Sequence, residues 1–166
     1  MRIRRGKVVP FLYSDETLRA MYEGGRGNAT ARRFARFWAW VFGLGISPKR
    51  WVTLEVIGRR SGRLTRFPLG LAYFEGQTFV ASMLGENCNW VRNVRAANGE
   101  VVLRHRRAIA CRLTEVPRRE RASILKCYVE QVPGARPHIP VARSAPASEF
   151  EEIADAYPVF LVSPRV

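Results

Sequence analysis

Apolar positions along this chain switch several times between helical and strand spacing, and the switches predict its elements. Over residues 30–42, Phe34, Phe37, Trp38, Val41 and Phe42 recur at helical spacing, while Arg32, Arg33 and Arg36 share one arc of the first turns. Gly43 and then Ser47-Pro48 end that helix. Residues 51–57 (WVTLEVI) are β-branched and strand-like. The turn Gly58-Arg59-Arg60-Ser61-Gly62 leads to a second strand over about 65–74, in which Pro68 demands an edge or a bulge. Glu75-Gly76-Gln77 turns the chain into a third strand over 78–82.

Helical spacing returns over 89–97, with Trp90, Val94 and Ala97 on one face and Asn98-Gly99 as the stop. Residues 100–105 and 108–116 form a hairpin around Arg106-Arg107. Pro117 opens a helix over 118–131, with Ala122, Leu125, Val129 and Val132 at core spacing. A proline-rich loop covers 134–146. Ser148 and Glu151 predict a capping box for a short helix to Tyr157, and 158–163 is a last strand. A further short helix is expected at 15–22. Hairpins dominate, and helices interrupt the strands without alternating with them, which excludes a doubly wound fold. The expectation is a mainly β chain with flanking helices, an antiparallel barrel: residues 1–29 as an arm and 30–166 as one domain.

Composition adds mainly charge. Of 166 residues, 28 are basic and 14 acidic, a net charge of +14, and all but Lys7, Lys49 and Lys126 of the basic residues are arginine. Arginine's planar fork pairs with phosphate and carboxylate at two points, so a polyanionic partner is expected: a phosphorylated cofactor, an anionic membrane surface or nucleic acid. The bland alternative is that many arginines merely solvate the surface. The longest apolar run, residues 37–46, is far short of the ~20 that span a bilayer. With no secretory h-region, a cytoplasmic protein is expected, with peripheral contact on the inner membrane face left open. The stretch RRFARFWAW interleaves arginine with aromatics, as interfacial helices do. Specific nucleic-acid binding is not expected, because the basic residues are dispersed and no binding motif occurs.

Catalytic material is scarce. There are two histidines, His105 and His138, two aspartates, and three cysteines without CxxC spacing, so neither a metal site nor a disulfide framework is expected. Cys88 precedes a helix start, where a thiolate is favoured, but a small structural residue is the simpler reading. A chain so poor in reactive side chains either binds something or lets a cofactor do the chemistry. Three segments are site candidates: the 58–62 turn, a phosphate grip extended by Arg63 and Arg66; Ala81-Ser82-Met83-Leu84-Gly85, where small residues admit a ligand; and the helix bearing Trp90 and Asn93.

Taken in order, Gly58 to Gly62 (GRRSG), Arg66 to Leu69 (RFPL), Val80-Ala81-Ser82 and Trp90 to Asn98 (WVRNVRAAN) resemble the deazaflavin-dependent nitroreductase family of actinobacteria. The resemblance covers 51–116 well. It implies a split β-barrel related to the flavin-reductase and pyridoxamine-phosphate-oxidase barrels. It also implies the hydride donor coenzyme F-420, an 8-hydroxy-5-deazaflavin with a phosphate and an oligoglutamate tail. The cofactor contacts implied are Arg60, Arg63, Thr65, Arg66, Phe67 and Pro68. From the later segments, Ala81, Ser82, Met83, Gly85, Trp90 and Asn93 join them.

The chain departs from the family pattern in three places. Met83-Leu84 follow the serine, Asn89 stands where proline is usual, and residues 134–141 lack the tyrosines of the nitroimidazole-reducing members. The reading is therefore an F-420-dependent oxidoreductase reducing a small quinone, enone or nitro compound, as monomer or homodimer. Tyr128 and His138 are the candidate proton donors, and Arg136 a residue that orients the acceptor. FMN in the same barrel is the alternative enzyme, and a basic membrane- or nucleic-acid-binding module the alternative of another class.

Overall fold

The computed structural model describes residues 29–165; the expected arm and the helix at 15–22 lie outside them, except for Ala29. Seven strands form one antiparallel sheet: β1 Trp51–Ile57, β2 Leu64–Gly70, β3 Ala72–Phe74, β4 Gln77–Ala81, β5 Glu100–His105, β6 Arg107–Glu115 and β7 Val159–Pro164. The helices are α1 Ala29–Gly43, α2 Asn89–Ala96, α3 Arg121–Gln131 and α4 Ala147–Ile153. The strand order is β2-β1-β5-β6-β7-β4-β3. The two edge strands, β2 and β3, are thus neighbours in sequence, separated only by Leu71. A sheet whose edges are joined by one residue has to curl until they meet, and the result is a split barrel.

This corner is where the sequence expectation was too simple. The single strand expected over 65–74 is two strands on opposite edges, because the chain leaves β1 at Gly70 and pairs with β4 from Ala72. Pro68 fits, since β2 is an edge strand with only β1 as a neighbour. Gly70 is required by close approach: a Cβ there would sit 2.6 Å from Val132. Two other expectations shift slightly. A 3₁₀ turn, Arg118–Glu120, precedes α3, and α4 starts at Ala147 after Pro146 with no side-chain cap, so the Ser148–Glu151 box does not form.

Strand alternation sorts the side chains into two cores on opposite faces of the sheet. The interior holds Val52, Leu54 and Val56 of β1 with Leu69, Leu71, Val80, Leu103, Leu113 and Phe160, and α2 plugs it with Trp90, Val91 and Val94. Outside, Phe79, Ala81 and Val159 pack under α3 and α4 through Leu125, Tyr128, Val129 and Phe150. Each fully buried apolar side chain contributes roughly 1.5–3 kcal/mol. The expected core positions of α3, Ala122, Leu125, Val129 and Val132, are all buried.

Tyr128 closes the seam. Its hydroxyl donates to the Gly70 carbonyl (3.0 Å), and the Ala81 backbone N–H is directed at its oxygen, so one side chain bridges the ends of β2 and β4. It is 2% exposed, and burial raises its pKa far above the ordinary phenol value. An accessible proton donor is not what this position provides, and the expectation for Tyr128 is corrected on that ground. Arg136 is likewise spent on structure. It donates to the carbonyls of Val129 (3.0 Å) and Glu130 (2.9 Å), and Arg50 donates to that of Gln131 (2.6 Å), so two arginines cap the C-terminus of α3.

The third layer is α1, laid over the outer face of β1, β2 and β5. Thr53 donates to the Ala39 carbonyl, and Phe42 stacks on Trp51 with ring centroids 5.4 Å apart. Beside Thr53, the Glu55 carboxylate is 5% exposed and accepts from Arg66 Nε (3.0 Å), Arg104 Nε (3.0 Å) and Arg104 Nη2 (3.2 Å). The Arg104 hydrogen bond first, then that of Arg66, holds the Glu55 carboxyl below its usual value against the opposing effect of burial.

Two outcomes follow. Tyr128→Phe leaves the Gly70 carbonyl without its donor and should cost about 1–3 kcal/mol in denaturant melts. Retained stability would show that the latch is not closing the seam. For Glu55, a lowered folded pKa means stability that is full above the ordinary carboxylate range and lost as pH falls through the folded value. Glu55→Gln should therefore be less stable than the parent at pH 7 and show a shallower loss of stability below about pH 4, measured by melting across pH.

Candidate functional site

The turn between β1 and β2 is built tightly. The Gly58 amide donates to the Arg63 carbonyl and the Gly62 amide to the Gly58 carbonyl, both at 2.8 Å, and Gly62 takes φ +64°. A Cβ on Gly58 would come within 2.7 Å of Ser61 Oγ, so the loop closes because both positions are glycine. Folded this way, the turn projects Arg60 and Arg63 outward. Both are exposed, and their guanidinium groups have no partner among the described residues.

Asn93 docks this turn onto α2. Its Oδ1 accepts from the Arg59 backbone N–H (3.3 Å) and from Arg59 Nη1 (2.8 Å), and its Nδ2 donates to Thr65 Oγ1 (3.4 Å). Thr65 in turn donates to the Val56 carbonyl at 2.6 Å. Asn93 is 4% exposed, which is tolerable because both ends of its amide are engaged. The Ser82 turn meets the other end of α2. Ser82 Oγ donates to the Gly85 carbonyl (2.7 Å), and the Gly85 carbonyl also accepts from the Cys88 amide (3.5 Å) at the helix start. Cys88 is buried, and desolvation pushes its thiol pKa up, so the helix start does not make it a thiolate.

The structure therefore brings Arg60, Arg63, Thr65, Asn93, Ser82 and Gly85 to elements joined through α2. The other expected contacts fall elsewhere. Trp90 is 4% exposed and packs on Phe160 at 5.5 Å inside the barrel, and Ala81 is buried beneath α3. Phe67 is half-buried against the interior core and Met83 against the outer one, while Pro68 is half-buried on the open edge of β2. Arg66 points from the opposite face of β2 to Glu55, since successive strand residues alternate sides. His138 is half-buried on the loop after α3, its carbonyl accepting from the Tyr157 hydroxyl at 3.0 Å.

Arg59 belonged to the phosphate grip expected of the 58–62 turn, whereas Glu55 was not singled out from sequence. Arg59 meets Asn93, 34 residues away, and no local signal marks which arginine of the pair turns inward. Glu55 lies among strand residues, and an acidic side chain on a strand face covered by α1 was the available clue.

Chemically, the turn offers two unpaired guanidinium groups that suit a phosphate or a run of carboxylates. The cation at Arg59 is already held and serves to fix the turn. An anion held by Arg60 and Arg63 would displace no ion pair that these two side chains make among the described residues.

The sequence profile of the F-420H(2)-dependent quinone reductases matches residues 30–142. None of the curated proteins matches the sequence. Among solved structures, a protein of unknown function from Agrobacterium tumefaciens is similar at TM-score 0.52 and 12% identity, covering 84% of this chain and 55% of that one. An F-420-H2 dependent reductase is similar at TM-score 0.46 and 22% identity, covering 69% and 95%. A FAD-binding protein from Mesorhizobium loti gives TM-score 0.47 and 15% identity, covering 77% and 90%. The profile takes in α1, the whole β1–β2 turn, the Ser82 turn, α2 and the loop after α3, and on that span the chain belongs to the F-420H(2)-dependent quinone reductase family.

Proposed function

We propose that this protein is an oxidoreductase that uses coenzyme F-420, and that it passes hydride from the reduced cofactor to a quinone or a similar electron-poor organic acceptor. The observation that carries the reading is the pair of unpaired arginines, Arg60 and Arg63, on a turn locked to α2 by Arg59 and Asn93, within the span that matches the family. When bound, the deazaflavin supplies the hydride. The chain's own part is to hold and orient. Arg60 and Arg63 grip the phosphate or the glutamate carboxylates, Asn93 keeps the turn at a fixed distance from α2, and the small residues at Ser82 and Gly85 let the cofactor approach the backbone. Of the two candidate proton donors, Tyr128 is fully buried and His138 is half-buried on the loop after α3. His138 belongs to the reading as the group to test, with Tyr128 reserved for the seam.

Fluorescence titration of the purified protein with F-420, and separately with FMN, tests the cofactor. The double variant Arg60→Ala, Arg63→Ala should weaken F-420 binding at least tenfold, since hydrogen bonds to charged groups contribute roughly 1.5–3 kcal/mol each. Arg66→Ala should leave that affinity nearly intact and act on thermal stability through Glu55. Equal affinity of the parent and the folded double variant would remove the phosphate assignment. Tight FMN binding with no F-420 binding would overturn the cofactor reading itself.

A further inference from the structure

We propose that the exposed face of α1, the loop that follows it and the tip of the β5–β6 hairpin together form a docking surface for an anionic lipid bilayer. The aromatic residues of α1 divide between two sides. Phe42 turns inward onto Trp51, and Trp38 stacks on Phe42 with centroids 5.5 Å apart. Phe37, whose ring meets that of Trp38 edge-on at 5.6 Å, and Trp40 are left 56% and 63% exposed. The Leu44 amide still donates to the Trp40 carbonyl (3.1 Å), so Leu44, 43% exposed, continues the same stripe one turn on, and Ile46 follows at 76%. Single exposed apolar residues are ordinary, but four within residues 37–46 are not.

The hairpin extends this surface. The Arg106 amide donates to the Gly43 carbonyl at 3.0 Å, which seats the tip against the end of α1 and brings the exposed Arg106 side chain beside Gly45. No acidic residue occurs between positions 29 and 54 or between 101 and 114. Exposed Arg33, Arg36 and Lys49 accompany the stripe. Apolar side chains able to enter the acyl boundary, framed by cations, are what an interfacial segment needs.

Charge decides between the occupants. A second copy would set one cationic face against another, and residues 1–28 carry six basic and three acidic side chains, the same sign as the surface. Nucleic acid matches the charge but offers no apolar phase to Leu44 and Ile46. A bilayer with acidic headgroups supplies both. The surface also lies away from the arginine turn. β1 starts at Trp51, whose carbonyl contacts His105 Nδ1 (3.0 Å) at the hairpin end, and finishes at Ile57, which pairs with Leu64 beside the turn. That is roughly 20 Å of strand, so docking leaves the turn open.

Co-sedimentation of the full chain with phosphatidylglycerol–phosphatidylcholine vesicles and with pure phosphatidylcholine tests this without any cofactor, so its outcome is independent of the reductase reading. Partitioning should be at least tenfold stronger to the anionic vesicles and fall with added salt. Trp40→Ser with Ile46→Ser should reduce it at least tenfold at unchanged melting temperature, whereas Ile57→Ser with Leu64→Ser, exposed at the other end, should not. Trp40 is the one exposed tryptophan of four, so a blue shift of emission on adding anionic vesicles should vanish in Trp40→Phe while pelleting persists. Equal pelleting with both vesicle types, or none, would overturn the proposal. So would lipid-free dimerisation abolished by the Trp40–Ile46 double variant, or stronger competition by duplex DNA than by anionic vesicles.

Discussion

Because Leu71 alone separates the two edge strands, β2 and β3 cannot lie far apart, and the sheet is curled by covalent connectivity before any packing is considered. Packing then makes the curl favourable. Leu69, Leu71, Val80 and Phe160 share an interior that a flat sheet would leave open to water. The Tyr128 hydroxyl completes the seam by donating to the carbonyl of Gly70, the last residue of β2. The free edge of β3 is managed similarly: Gln131 accepts from the Tyr73 amide (3.0 Å) and donates to its carbonyl (2.8 Å), standing in for a missing strand.

The candidate site depends on that closure. α2 is held by Trp90, Val91 and Val94 in the barrel interior, and this burial aims Asn93 at the β1–β2 turn. The polar contact would be weak on a mobile helix. Anchored, it sets the turn and leaves Arg60 and Arg63 as the cations that remain available. The same helix is tied near its C-terminus, where Arg95 pairs with Glu86 (2.5 Å) and with Glu115 (2.7 Å), and Glu115 also meets Arg121 of α3 at 3.0 Å.

Arginine does three different jobs in this molecule. Arg50, Arg121 and Arg136 donate to main-chain carbonyls, Arg66, Arg95 and Arg104 pair with carboxylates, and Arg60 and Arg63 have no such partner. In composition all of these are equivalent positive charges, and the excess pointed to a polyanion. The distinction among them comes from strand alternation and from contacts between distant segments. Arg66 illustrates it: one residue from Thr65, yet on the opposite face of β2.

What the sequence determined by itself was local. Spacing and turn residues located α1, β1, β4, α2, β5, β6 and β7 to within a residue or two, because period and glycine or proline chemistry act over a few neighbours. The ordered motifs carried the family, and the arginine turn was legible as a candidate site because its two glycines and its cations are contiguous. Tertiary structure decided the rest. It split the expected 65–74 strand at Leu71, since pairing partners are chosen by closure and not by propensity. It turned Trp90 inward and Tyr128 into a latch, assigned Arg136 to a helix cap, and separated the two faces of α1. Each of these depends on which segment lies opposite, and that information exists only once the sheet has curled and the helices have packed on it.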